Sequence, residues 1–168
     1  WSKPKLSPKK ITVRDAIGHL PSIESGQKSK VDWHFGRKHS KNHILAMEKT
    51  PTGKSAFEYS NILKSTSGKT PKGFKTTYAR MEWDKPCPTI TIRNDAISSQ
   101  RNVHPGKKLK NGNYSDARVL SIKELFLLTG LDDSFNLDKS IPEILIRQVI
   151  GESVPPNLIY EICKGINK

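Results

Sequence analysis

Apolar positions along the chain form a few short stripes separated by long polar stretches. Val13, Ala16, Ile17 and Leu20 recur at helical spacing and predict a short first helix. Thr12 opens it, Asp15 suits the positive end of its dipole, and Pro21 stops it. A second helix is expected over Asn42–Lys49, started by Ser40 and carrying Ile44, Leu45 and Met47. Ser121-Ile-Lys-Glu124 is a capping box ahead of Leu125, Phe126, Leu127 and Leu128, with Gly130 as the stop. Ser140-Ile-Pro-Glu143 repeats the device over Ile144, Leu145, Gln148 and Val149, with Gly151 as its stop. Beyond Pro155-Pro156, the residues Leu158, Ile159, Ile162, Cys163 and Ile166 share one face of a last helix.

Period-two and β-branched character is weaker. Phe74–Trp83 and Thr89–Arg93 are expected to be strands, joined by a turn at Asp84–Pro88, and Arg118-Val-Leu is a short third strand. Residues 1–10 are a Lys- and Pro-rich linker, and Ser65–Gly73 and residues 98–116 are polar loops. No internal repeat or heptad is present. The fold class expected is α+β. The last helix raises a question, because few apolar elements after residue 140 could cover its stripe. It closes either onto the first part of the chain or onto something else.

Charge changes this picture. The chain has 168 residues and a formal net charge of +13. Residues 1–110 hold 23 Lys/Arg against 8 Asp/Glu, whereas residues 111–168 hold 6 against 8. A basic field confined to one part favours a polyanionic partner, nucleic acid being the common one. Two cysteines cannot build a disulfide framework, and a reduced, cytoplasmic setting fits them. No apolar run is long enough for a membrane span, and no signal peptide is expected. The chain opens on Trp1 rather than Met, which raises the expectation of a piece of a longer protein.

Several residues carry candidate chemistry. Arg80, Arg93 and Arg101 could meet guanine O6 and N7 together, and Thr89 and Thr91 alternate beside them. The plain alternative for the threonines is ordinary β propensity. Lys38, Lys41, Lys64, Lys69, Lys72, Lys75, Lys107, Lys108 and Lys110 lie in polar stretches. Singly each is a solvated charge; together they would supply a salt-sensitive phosphate term. His104 before Pro105 shapes a loop or meets a phosphate. His39 and His43 are four residues apart, but no Glu follows His39 as zinc-peptidase spacing requires, so a metal site is not expected.

Four stretches, taken in order, resemble the C-terminal half of DNA cytosine-5 methyltransferases. Ile11–Pro21 (ITVRDAIGHLP) resembles the segment opening the family's target-recognition region. Met81–Arg93 (MEWDKPCPTITIR) with His104-Pro105 resembles a stretch inside that region. Arg118–Phe135 (RVLSIKELFLLTGLDDSF) and Ile146–Leu158 (IRQVIGESVPPNL) resemble the two closing motifs. The resemblance implies a linker and helix over 1–21, a DNA target-recognition lobe over 22–120, and closing helices over 121–168. It also implies a Rossmann-like catalytic domain outside this chain, onto which those helices dock.

Further implications follow from the resemblance. It places Arg80, Thr89, Thr91, Arg93, Arg101 and His104 in the DNA-facing region. It places Glu152, Ser153 and Val154 at part of an S-adenosylmethionine site. Glu152 stands where the family has Asn, and an acid there would repel the cofactor's carboxylate. Lys123, Thr129 and Leu131 also depart from the family pattern. The family's Gly-rich cofactor loop, Pro-Cys nucleophile, Glu-Asn-Val acid motif and Gln-x-Arg-x-Arg motif are all missing. Pro86-Cys87 looks like the nucleophile dipeptide, yet its context matches the recognition region, so Cys87 is expected to be structural. Arg118 and Glu124 are expected to organise the recognition region rather than react. Double-stranded DNA and an N-terminal catalytic half, with no membrane, are the expected partners, in a restriction-modification setting. The alternatives are a stand-alone nucleic-acid-binding module or decayed methyltransferase remnant, and, more weakly, an RNA-binding protein using Phe74 and Tyr78.

Overall fold

The computed structural model describes residues 10–58, 76–97, 101–131 and 135–166. The linker over 1–10 (save Lys10), the Ser65–Gly73 loop, and Lys64, Lys69, Lys72, Phe74 and Lys75 lie outside the described residues. Five α-helices are described: α1 (Val13–Ile17), α2 (Lys41–Lys49), α3 (Ile122–Thr129), α4 (Glu143–Glu152) and α5 (Pro156–Ile166). A 3₁₀ turn covers Ala56–Glu58. None of the helices is long and apolar enough to cross a membrane.

The helix starts follow local chemistry. Thr12 and Asp15 form a reciprocal capping box on α1, and Ser121 and Glu124 do the same on α3. The Ser40 hydroxyl accepts the His43 amide at the start of α2. In α4 the expectation fails at both ends. Pro142 is its N-cap without any side-chain hydrogen bond, and the helix runs through Gly151 to Glu152.

The expected strands become single bridges. Ser55 pairs with Ala79, Arg80 with Val103, and Val103 with Val119, so four short segments lie side by side without a ladder. Thr89–Arg93 forms no strand. Pro86 and Pro88 lack amide protons, and Thr91's carbonyl turns inward to accept both the Asn94 amide (3.1 Å) and its Nδ2 (2.9 Å).

One main core gathers Val13 and Ile17 of α1, Met81, Leu120, Ile122, Leu125 and Phe126 of the α3 region, and Ile146 and Ile150 of α4. It draws on residues from Val13 to Ile150. Each fully buried aliphatic side chain contributes roughly 1.5–3 kcal/mol. A smaller cluster of Met47, Ile97, Val103, Ala117 and Val119 seats α2 on the bridged segments.

Candidate nucleic-acid interface and closing-helix edge

Beneath the bridged segments lies a buried network of charge. Arg118, fully buried, donates from Nη1 and Nη2 to Glu124 at 2.8 and 2.9 Å, from Nη2 to Asp116 at 3.3 Å, and from Nε to the Ile23 carbonyl at 2.7 Å. Burial would raise Glu124, but Arg118 and His104 outweigh it and hold the carboxyl below its usual range. His34 bridges the Pro21 carbonyl and the Ser121 hydroxyl at 2.9 Å each. These contacts fit the expectation that Arg118 and Glu124 are architectural.

Two expected DNA contacts turn out to be internal. Arg80 is 1% exposed. Its guanidinium donates to the carbonyls of Thr50 (2.9 Å), His104 (2.6 Å) and Met47, and it lies over the Tyr114 ring. Burial lowers its pKa to about 10, so it remains charged. A base edge cannot reach a guanidinium spent on backbone carbonyls; Arg80 ties the end of α2 to the segment after His104. His104 is also buried. Its Nδ1 accepts the Gly106 amide at 3.1 Å, and its Nε2 lies 3.4 Å from Glu124. Burial lowers its pKa to about 4, so it is neutral at physiological pH and is enclosed away from the surface where a phosphate would lie.

The other expected contacts lie nearer the surface. Thr89, Arg93 and Arg101 are exposed and Thr91 is half-buried. Arg93 Nε donates to Asp95 at 3.1 Å, and Arg101 takes a left-handed backbone at φ 40°. Thr89 borders a cleft of about 310 Å³ that Ser153 and Pro155 also line, which brings the Thr89–Arg93 segment beside the end of α4. A buried clamp holds the two together. Arg147 donates from Nε to Glu143 at 2.6 Å and from Nη1 to Asn94 Oδ1 at 3.3 Å, while Asn94 Nδ2 donates to the Arg147 carbonyl at 2.8 Å. The helix and segment backbones touch at Gly151, where a Cβ would come within 2.5 Å of Thr91 and Ile92 backbone atoms. Sequence reasoning missed Arg147 and Asn94 because the clamp joins positions 53 residues apart.

Glu152, Ser153 and Val154 form the exposed end of α4. Ser153 Oγ donates to the Ile150 carbonyl at 2.8 Å, and Glu152 accepts from Gln148 at 3.4 Å. Val154 is apolar and the Ser153 hydroxyl is spent on the helix, so Glu152 alone of the three presents a charged group here. An exposed carboxylate there suits a cationic part of a ligand better than an anionic one. Cys87 is half-buried: burial pushes its thiol up to about 12, away from the thiolate a nucleophile needs, and Sγ donates to the Pro88 carbonyl at 3.1 Å. His39 is likewise occupied, accepting the Val119 amide at 3.3 Å, and His43 meets the Tyr78 ring edge-on. No cluster of three or more metal-binding side chains occurs among the described residues.

The closing helices leave apolar surface uncovered. Leu145 and Val149 of α4, Val154, and Leu158, Ile159, Tyr160 and Ile166 of α5 are all exposed. A groove of about 350 Å³ runs between Phe126, Leu137, Ile141, Leu145, Val149 and Val154.

A family model described as C-5 cytosine-specific DNA methylase matches residues 1–168. The Type II methyltransferase M1.HgaI of Avibacterium volantium is 54% identical over 169 residues, covering 99% of this chain and 46% of the relative. The Type II methyltransferase M1.HphI of Haemophilus parahaemolyticus is 29% identical over 158 residues, 94% of this chain and 37% of the relative. The DNA (cytosine-5)-methyltransferase 3 of Arabidopsis thaliana is 27% identical over 187 residues, 94% of this chain and 12% of the relative. The chain therefore spans less than half the length of these curated relatives.

Proposed function

Because the chain belongs to the C-5 cytosine-specific DNA methylase family, we propose that it is the DNA-recognising half of a DNA (cytosine-5-)-methyltransferase of restriction-modification type. The observation that carries this is the uncovered apolar surface of α4 and α5, which spans the closing motif. A helix pair with this much exposed Leu, Ile and Val calls for a protein partner. The complementary, Rossmann-like catalytic half is that partner, and the basic residues of 1–110 face double-stranded DNA.

The chemistry divides between the halves. Methylation at cytosine C5 needs a thiolate that adds to C6 of a flipped-out base, and half-buried Cys87, its thiol pushed up to about 12, is poorly suited to provide it. S-adenosylmethionine, when bound, supplies an electrophilic methyl group. Ser153 and Val154 would line one side of its site, with Glu152 towards its cationic part. Thr89, Thr91, Arg93 and Arg101 are the recognition residues in reach of DNA, positioned against that site by Asn94 and Arg147.

Complementation is the direct test. The chain alone should transfer no methyl group to DNA. Mixed or co-expressed with the part of M1.HgaI that it does not cover, it should restore transfer of labelled methyl from S-adenosylmethionine. A folded mixture inactive on every DNA tried would end the proposal.

A further inference from the structure

The stretch expected to be loop over residues 98–116 contains an ordered hairpin. Lys108 pairs with Tyr114 in antiparallel fashion, and the Leu109 amide donates to the Asn113 carbonyl at 2.7 Å. Between them Lys110, Asn111 and Gly112 make a three-residue turn, closed by the Gly112 amide on the Leu109 carbonyl at 3.0 Å. Gly112 sits at φ 85°, the left-handed position this hairpin type places last, and its Cβ side is open. The Asn111-Gly112 dipeptide, read above only as part of a polar loop, is the feature of the sequence that favours such a turn.

The hairpin is bolted to the core at its base. The Tyr114 amide donates to the Glu48 carbonyl at 2.8 Å, and the Tyr114 ring stacks on buried Arg80. The Ser115 amide donates to the Lys107 carbonyl at 2.9 Å, and the Lys107 amide to Ser115 Oγ at 3.0 Å. Trp83 Nε1 donates to the Gly106 carbonyl at 2.7 Å. On this mount Lys107, Lys108, Leu109, Lys110 and Asn111 are all exposed, and among the described residues none of the three lysines forms a salt bridge. A cleft of about 380 Å³ opens at the foot, lined by Arg14, Thr52, Trp83, Lys107, Lys108 and Tyr114. Arg14 is held there by Asp84 at 2.7 Å, so the unpaired charge belongs to the lysines.

We propose that the Lys107–Ser115 hairpin is a fixed clamp for the phosphodiester backbone of duplex DNA, with Lys107, Lys108 and Lys110 as its contacts. The proposal rests on the DNA-acting role argued above. It adds a footprint distinct from the segment carrying Thr89 and Arg93. Three cations on a rigid turn meet phosphates without first being ordered, and they position a duplex without reading its sequence.

The test compares two triple variants of the whole chain by fluorescence anisotropy on labelled duplexes across a salt series. One is Lys107→Gln, Lys108→Gln, Lys110→Gln. The other removes equal charge from the part of the chain after residue 120, which the proposed function turns away from DNA: Lys123→Gln, Lys139→Gln, Lys164→Gln. Circular dichroism melts confirm that both fold as wild type does. The hairpin variant should bind roughly 10- to 100-fold more weakly near 0.1 M salt, on all sequences alike, with its log–log salt slope reduced by about 2–3. The control should change far less. Equal losses in both variants would reduce the clamp to a general charge effect and overturn it, as would an unchanged hairpin variant. Wild-type chain that binds no duplex DNA brings down both the proposed function and the clamp, whereas a failed clamp with tight wild-type binding leaves the proposed function standing.

Discussion

Arg118 is the hub of the buried charge network. It reaches Glu124, Asp116 and the Ile23 carbonyl from a fully buried position. Truncation to Ala would leave two carboxylates in a low-dielectric interior without their cation. Removing one member of such a set costs about 3–5 kcal/mol. Urea unfolding of Arg118→Ala should register that loss, and a variant as stable as wild type would show the network to be ornamental. His104 gives the pH dependence. Its folded value of about 4 lies below the 6.5 of an unfolded histidine. Between those values the unfolded chain binds the extra proton, so stability is full above the unfolded value and is lost as pH falls towards the folded one. The loss is on the order of 2–3 kcal/mol by pH 4. His39, also held at about 4 by burial, acts in the same direction. The melting temperature should fall from pH 7 to pH 4.5, and His104→Gln should flatten that fall. Identical profiles for the two proteins would remove His104 from the account.

Helices differ in whether their ends are set locally. The capping box at Ser121, and Thr12 as the residue that opens α1, were legible in sequence because every bond at those helix starts spans three residues. The end of α4 was not. Gly151 reads as a stop, yet the helix continues because Gly151 is where its backbone meets Thr91 and Ile92. Two effects therefore compete in Gly151→Ala. Helix propensity favours Ala by about 1 kcal/mol. The added methyl would lie 2.5 Å from backbone atoms that have no rotamer to escape through. Overpacking of that kind costs about 1–3 kcal/mol, so net destabilisation is expected, with amide shifts at 91–95. A higher melting temperature for Gly151→Ala would show that the contact yields. The same distinction explains the strands. A β-branched run such as Thr89–Ile92 states a preference, but only a partner segment makes a ladder, and Pro88 and the Asn94 turn deny it one. Arg80 and Arg93 look alike in sequence, and only burial separates a strut from a surface cation.

Over the whole molecule, charge and apolar surface separate. The excess of Lys and Arg lies before residue 111, where it includes the hairpin clamp, and the uncovered apolar residues lie after residue 140. A self-sufficient binding module would turn the Leu158, Ile159 and Ile166 stripe inward. Here those side chains are 48%, 44% and 60% exposed, and only Gly165 of α5 is buried. An isolated helix of eleven residues is marginal in water without a packed face. The amides of α5 should therefore exchange quickly in the chain by itself, while those of α3, seated in the main core, exchange slowly. Adding the complementary part of M1.HgaI should slow α5 by at least tenfold and leave α3 unchanged. Strong protection of α5 in the chain alone would mean that the helix is already covered, and would favour a stand-alone module over half of an enzyme.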